Sequence, residues 1–385
     1  MQQQNAAISS WLAAQQNAMI QLLSELVNID SGSYDKAGVD AVGAQLESFL
    51  IDHGISVTTT PNVHFGNILR AANGNPGSDS DRHAILLMGH RDTVFPKGEA
   101  ARRPFHISGD RAYGPGVADM KAGLVMNAFI MAAFSRFAPQ VPLVALMTGD
   151  EEIGSGTSHA FIEKEAKQAI AVFNSEPGRI SGNVVTGRKG GFTYRFEITG
   201  IAAHSGVNFT EGASAIGELA HKITALHGLT CVENGITLNV GLVKGGQSVN
   251  TIAPDAHGEV DVRFVTNEQR DDLIRSVEMI LSSTTTPGTS IKAERKSGFL
   301  PLVPTTESEA LTEKYLSSAN EMGLRISGEF TGGCADSGFA ASVGAPTICG
   351  VGPVGGKAHT AEEYIEVASL SERARIVAAT IFKLG

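Results

Sequence analysis

Thiols are scarce in this chain. Its 385 residues include three cysteines, Cys231, Cys334 and Cys349, odd in number, far apart and without a CxxC pair. That excludes a disulfide framework and a thiolate zinc site, and the three read as buried free thiols. Any metal must then be held by histidine and carboxylate. Basic charge is short as well: thirty Lys and Arg against forty Asp and Glu give a formal net charge of -10. This is the wrong sign for a protein whose main partner is a phosphate backbone, so no nucleic-acid partner is expected. No apolar run approaches the roughly 20 residues that span a bilayer, and no terminal lipidation pattern is present; no membrane association is expected. The first basic residue is Lys36. The opening MQQQNAAISSWLAAQQ has no continuous apolar core and does not read as a secretory signal, so the expected location is cytoplasmic. A GxSxG elbow is missing, which speaks against a metal-independent serine hydrolase.

What is present is a globular composition, 42% hydrophobic, over a length that suggests two or three domains. Amphipathic stretches at about 9–28 and 38–53 precede short strand-like runs, ISVTTT and NILRAA, and then the apolar HAILLMGH. A helical pattern follows Gly123, then the strand PLVALMTG, a short helix near 156–168 and the strand AIAVFN. The alternation is that of an α/β domain with a mixed sheet and helices on both faces. The loop NGNPGSDSD at 73–81 reads as a surface turn.

The style changes after TGRKGG. FTYRFEITG alternates as a half-exposed strand, then come a helix near 212–228, strands ITLNVGLV and HGEVDVRFV, a helix near 267–283 and the strand TSIKAER. That is βαββαβ, an α+β, ferredoxin-like unit. After KSGFLPLVP the α/β style resumes with a helix near 307–322, the strand PTICGV and a helix over 367–383. The expected organisation is a catalytic domain from 1–186 and 299–385, with 187–298 inserted as a second domain.

In open α/β sheets, ligands bind beyond the carboxyl ends of the strands. HAILLMGH ends in His90, PLVALMTGD runs into Glu151 and Glu152, AIAVFNSEP delivers Glu176, and the turn after PTICGVGPVGGKA delivers His359. Asp119, in YGPGVADMKAG, lies between the first of these strands and the next helix. Each motif alone is weak, since an acidic triplet is usually a solvated turn and a lone His a structural one. As a set, two imidazoles and several carboxylates suit a hydrolytic metal site, most simply zinc, with manganese or cobalt as alternatives. Two ions about 3.5–4 Å apart can act together on water and a scissile carbonyl. In HRD, the spacing lets Asp92 hydrogen-bond His90. The two glycine-rich stretches do not fit nucleotide binding: GPGVADMKAG lacks the third glycine of GxGxxG, and GVGPVGGKAHT misses the P-loop spacing.

These residues resemble the two-zinc amidohydrolases that include glutamate carboxypeptidase, aminoacylase and succinyl-diaminopimelate desuccinylase. The matching segments, in order, are GHRDTV, YGPGVADMKAG, TGDEEIGS, SEPG, AAHSG, SVNTIAPDAHGEVDVRF, TGGCADS and KAHTAEEY, and the bacterial glutamate carboxypeptidase branch looks nearest. The resemblance implies that Asp119 bridges two metals, with His90 and Glu176 on one and Glu152 and His359 on the other. It implies Asp92 as the orienting partner of His90 and Glu151 as the general base. In the inserted lid and dimerisation domain it implies His204 as an oxyanion stabiliser, often supplied by the partner subunit, and Asn250, Arg263 and Gly333 as substrate-binding positions. Departures are Arg91 after the histidine, Cys334 and Ala335 in the segment that usually reads GGTD, and AERKSGFLP in place of a clear basic pattern. Arg188, Lys189, Arg295 and Lys296 are cations that could compensate.

The expected activity is cleavage of an amide bond next to an amino acid with a free α-carboxylate, as a carboxypeptidase, with dipeptidase or N-acyl-amino-acid deacylase as alternatives on the same site. The expected substrate is a dipeptide or an N-acyl amino acid, and the expected assembly a homodimer through the lid. A non-catalytic amino-acid or peptide-binding protein is the reading from another class.

Overall fold

A computed structural model of the protein describes residues 2–73 and 84–384; beyond Asn73, the surface turn expected over 73–81 lies outside the described residues. The chain divides into two units. The first comprises Met1–Gly187, Leu302–Thr331 and Asp336–Gly385, and the second Arg188–Pro301 with Gly332–Ala335. The second thus takes a short piece of the returning chain, because Cys334 is held there by Arg188 and Arg263.

In the first unit an eight-stranded sheet runs in the order Ser56–Thr60, Ile68–Ala72, Leu143–Thr148, Ile85–His90, Ala171–Asn174, Thr347–Cys349, Val184–Arg188 and Gly328–Thr331. Every residue of Ile85–His90 and Leu143–Thr148 is buried, which is why both read as unbroken apolar runs rather than alternating ones. Four strands decide where chemistry can occur. Leu143–Thr148, Ile85–His90, Ala171–Asn174 and Thr347–Cys349 are mutually parallel neighbours, so their carboxyl ends open on one rim. The outer strand Ser56–Thr60 joins antiparallel, making the sheet mixed.

The helix Ala122–Phe137 is buried continuously from Ala122 to Phe134. It packs against the helices Gln2–Ala14, Gln16–Val27, Lys36–Asp52 and Ser369–Phe382, so its apolar character is that of a core helix hydrophobic all round. The stretch expected as one helix over 9–28 is two, meeting at Gln15. A small sheet of Gly355–Gly356, Tyr364–Glu366, Arg111–Tyr113 and His106–Ser108 had no signal in the sequence. Its strands are two or three residues long, too short to show a period of two. It matters because pairing Tyr364 with Tyr113 ties the segment after His359 to the segment before Asp119.

The second unit is a four-stranded antiparallel sheet in the order Thr237–Gly245, Asp255–Phe264, Gly190–Thr199 and Ser290–Phe299, with helices Ala215–His227 and Asn267–Ser282. Strict alternation puts Phe192, Tyr194, Phe196 and Ile198 on one face, buried with Val260, Val262 and Phe264 against Leu219, Leu226, Leu273 and Val277. The second helix starts at a capping box, Thr266 accepting from the Gln269 N–H while the Gln269 side chain reaches back.

Candidate metal centre

Five short segments converge at the rim of the first unit. His90 is the last residue of its strand and only 1% exposed. Glu151 and Glu152 open a single turn, Glu151–Ile153, just beyond Leu143–Thr148. Glu176 lies two residues past Asn174. Asp119 sits in the non-helical turn that leads into the core helix, with a cis peptide to Met120. His359 adopts a left-handed φ of 65° in the turn before Tyr364–Glu366.

The Asp119 carboxylate presents its two oxygens to different imidazoles. Oδ1 is 3.2 Å from His90 Nε2, and Oδ2 is 3.3 Å from His359 Nε2. Around the first imidazole, Glu176 Oε1 lies 3.7 Å and Glu151 Oε2 3.9 Å from His90 Nε2; around the second, Glu152 Oε2 lies 3.3 Å from His359 Nε2. The donor atoms of His90, Asp119 and Glu176 lie within 4.8 Å of one another, as do those of Asp119, Glu152 and His359. These are groups of the size a divalent ion gathers, built from nitrogen and oxygen alone, as suits zinc or manganese in a hydrolytic site.

Electrostatics also favours cations here. For the protein groups alone, burial pushes the Glu151 carboxyl well above its ordinary value; His90 opposes this and Glu176, Asp336 and Glu152 add to it. Burial and the Asp119 charge raise Glu152, against the hydrogen bond from His359. Its Oε1 is buried and has no hydrogen-bond partner among the described residues. Burial opposes the charged form of His90, yet Glu151, Asp119, Asp92 and Glu176 hold its pKa well above the usual imidazole value. Hydrogen bonds to Asp119 and Glu152 push His359 up to about 10. Burial would raise Asp119, but the two imidazoles outweigh it and hold the carboxylate below its usual range. Packed carboxylates that draw protons onto neighbouring imidazoles are short of positive charge, which bound metal would supply.

Asp92 does more than its spacing suggested. Fully buried, it faces His90 Nδ1 from 3.5 Å, but the closer acceptor at that nitrogen, at 3.0 Å, is its own backbone carbonyl. Its carboxylate accepts from Ser33 Oγ at 2.7 Å and from the backbone N–H groups of Glu151 and Glu152 at 3.1 Å each. Burial would raise its pKa, but His90, Ser33 and the Glu152 N–H bring it down.

Two more buried acids support the centre without having been singled out. Glu363 accepts from the N–H groups of Ala118, Asp119 and Gly116 at 2.8, 3.0 and 3.3 Å, linking the chain after His359 to the Asp119 turn; burial still raises it to about 7. In KAHTAEEY nothing distinguished it from Glu362. Asp336 accepts from Ser155 and Thr148, and burial raises it to about 7. Arg91 is wholly buried and donates to the carbonyls of Thr148, Val39 and Asn67, so the departure at that position fills a structural role behind the strand ends.

His204, Asn250, Arg263 and Gly333 belong to the second unit. His204 is exposed; its Nδ1 accepts from the Gly206 N–H at 3.2 Å, which leaves the proton of a neutral ring on Nε2. The Ser205 N–H donates to the Asn250 carbonyl at 3.0 Å, so His204 and Asn250 lie on adjoining segments. Arg263 donates through Nε to Asp261 at 2.8 Å and through Nη1 to Cys334 Sγ at 2.7 Å, beside Gly333. Arg188 donates to the Cys334 carbonyl at 2.8 Å.

Comparison with known proteins identifies the family. Residues 86–383 match the model of peptidase family M20/M25/M40. Carboxypeptidase G2 of Pseudomonas sp. (strain RS-16) is 30% identical over 379 residues, covering 96% of this chain and 90% of that protein. Acetylornithine deacetylase of Pectobacterium atrosepticum is 27% identical, covering 77% of this chain and 79% of its own. Among solved structures, an M20 family metallo-carboxypeptidase, Sso-CP2 of Sulfolobus solfataricus, shares the fold with a TM-score of 0.76 at 18% identity, over 94% of this chain and 98% of that one. The aminopeptidase PepT of Bacillus cereus has a TM-score of 0.73 at 22% identity, over 96% and 98%. This chain belongs to peptidase family M20/M25/M40 and is a metal-dependent peptide hydrolase.

Proposed function

We propose that the chain is an exo-acting carboxypeptidase-like hydrolase that cleaves the amide bond next to an amino acid with a free α-carboxylate, using two divalent ions, most simply zinc. The observation that carries this is the sharing of one carboxylate, Asp119, between two separate groups of nitrogen and oxygen donors. His90 and Glu176 would hold one ion, Glu152 and His359 the other, and Asp119 both. Such a pair supplies a polarised scissile carbonyl and a water made nucleophilic near neutral pH.

The remaining steps fall to side chains. Glu151 stands 3.9 Å from His90 with no place in either donor group. A carboxylate placed there suits a base that takes the proton of the attacking water and passes it to the leaving amine. Asp92 keeps His90 oriented and the Glu151–Glu152 backbone in place. The Nε2–H of His204 is the donor assigned to the developing oxyanion. Arg263, a planar fork, is assigned to the substrate carboxylate, with Asn250 and Gly333. The chain is further read as a homodimer joined through the inserted unit. The edge strand Thr237–Gly245 supports that assignment by leaving Leu242 and Val243 63% and 56% exposed.

The test is an assay of metal-loaded protein against dipeptides and N-acyl amino acids, each with the α-carboxylate free or amidated, alongside metal counting. Turnover confined to the free carboxylates, with two ions per chain, is expected. Equal turnover of amidated substrates would remove the role of Arg263, and one ion per chain would remove the shared-carboxylate reading.

A further inference from the structure

Arg263, the fork assigned to the substrate carboxylate, is held from three sides by residues of the second unit. On its strand Val260, Val262 and Phe264 are buried, while Asp261 and Arg263 share the opposite, half-exposed face. Two residues away on that face, Asp261 accepts the Arg263 Nε–H at 2.8 Å. On the neighbouring strand the residue directly opposite Arg263 is Gly191. A Cβ added there would stand 2.9 Å from Arg263 Cδ and 3.1 Å from the Val262 carbonyl oxygen. The arginine stem therefore lies across a strand position that glycine leaves open for it.

The third side is Cys334, in the segment Gly332–Ala335 that groups with this unit. Its Sγ accepts from Arg263 Nη1 at 2.7 Å. Its backbone carbonyl accepts from Arg188 at 2.8 Å, so the thiol is presented by a main chain that is itself fastened. Burial raises the thiol pKa against the pull of Arg263 and Arg188. Near neutral pH the sulfur thus accepts as a neutral group and adds no second negative charge beside the fork.

A guanidinium carries N–H donors in a rigid plane. Asp261 and Cys334 occupy one each, and Nη2 meets no acceptor among the described residues. The side chain is 33% exposed, so the remaining donors are open to a ligand while the fork is held. Because Asp261 already offsets much of the charge, what the fork offers a carboxylate is directed donors, and their direction matters. A long side chain fixed beforehand also loses little further freedom when a ligand binds. We infer that Cys334 is a positioning residue: with Asp261 and the bare strand at Gly191, its thiol holds Arg263 in one orientation before substrate arrives, and so sets how tightly the free α-carboxylate is bound. The inference rests on the assignment of Arg263 to that carboxylate. It gives a role to Cys334, a departure from the usual reading of its segment.

The test uses the metal-loaded full chain as wild type, Cys334→Ala, Cys334→Ser and Arg263→Ala, with one N-acetyl amino acid whose α-carboxylate is free. A hydroxyl can accept the same N–H and a methyl group cannot. In Cys334→Ala, KM should rise about three- to tenfold with kcat unchanged, the cost of ordering one long side chain on binding. Cys334→Ser should bring KM back toward the wild-type value, a rescue that a merely structural role would not show. A second readout needs no substrate. In protein carrying isotope-labelled arginine, the Arg263 Nη resonances, identified by their loss in Arg263→Ala, should be separate in the wild type and in Cys334→Ser, where rotation of the guanidinium is held. They should merge in Cys334→Ala. Merged resonances in the wild type, or an unchanged KM in Cys334→Ala beside a raised KM in Arg263→Ala, would overturn the positioning role. Resonances that merge only in Cys334→Ala, with KM unmoved even by Arg263→Ala, would keep the hold on Arg263 and sink its assignment to the carboxylate.

Discussion

Asp92 receives the backbone N–H of Glu152 at 3.1 Å, so a residue just past the end of one strand sets the position of the acidic turn that follows its neighbour. Because Asp92 also bonds Ser33 and the Glu151 N–H, one buried carboxylate holds three segments of the centre. Replacing it by Ala should loosen both donor groups together. Metal affinity, measured by competition with a chromophoric chelator, is expected to fall about 10- to 100-fold, the usual cost of removing a group that orients metal ligands. Unchanged affinity would confine Asp92 to scaffolding.

Glu151→Gln keeps size and shape and removes only the basic oxygen. Glu151 lies outside both donor groups, so the variant should bind metal as the wild type does. Turnover should drop by about 10²- to 10⁴-fold, the range expected for a general base. Metal content by elemental analysis and kcat on the same preparation check this; near-normal kcat would move the base elsewhere.

The homodimer reading predicts complementation. If His204 acts on the partner's centre, mixing His204→Ala with Glu151→Gln and allowing subunits to exchange should restore activity in some hybrid sites. Verified heterodimers with no recovered activity would place His204 on its own subunit's centre.

Glu218, buried on the helix Ala215–His227, predicts a pH dependence. Burial would raise its pKa, but the N–H groups of Thr286 and Thr285 and the Lys222 ammonium together bring it below the ordinary value. A carboxylate whose folded pKa is lowered contributes stability above its unfolded pKa of about 4.5 and loses it as pH falls through the folded value. Between pH 6 and pH 3 the wild type should therefore lose more stability than Glu218→Gln, as read from urea midpoints. Glu218→Ala should cost about 3 kcal/mol at neutral pH, because Lys222, 3.1 Å away, is left buried without its partner.

How far the sequence could be read depended on element length. Long strands and helices carry their own pattern: Gly190–Thr199 alternates from Phe192 to its end, and Ala122–Phe137 is apolar all round. The strands Gly355–Gly356 and Tyr364–Glu366 are too short for any period; the first pairs with the second, and the second with Arg111–Tyr113, far away in the chain. The grouping of Gly332–Ala335 with the second unit follows from hydrogen bonds of Cys334 to Arg188 and Arg263, contacts no local pattern announces. Ser33 and Glu363 carried no signal for the same reason: what makes them matter is Asp92 in one case and the Asp119 turn in the other.

Residue order and strand patterning were enough to bring His90, Glu151, Glu152 and Glu176 to the carboxyl ends of strands, since a parallel sheet sends all such ends to one rim; His359, expected at such an end, lies instead in the turn between Gly355–Gly356 and Tyr364–Glu366 of the small antiparallel sheet. The allocation of atoms at that rim is another matter. Which oxygen of Asp119 meets which imidazole, and that the Asp92 carboxylate holds Glu151 and Glu152 by their backbones, follow from packing distances of three to four ångströms between segments far apart in the chain. No sequence period encodes these; they exist only once the sheet, the core helix and the small four-stranded sheet have closed around them.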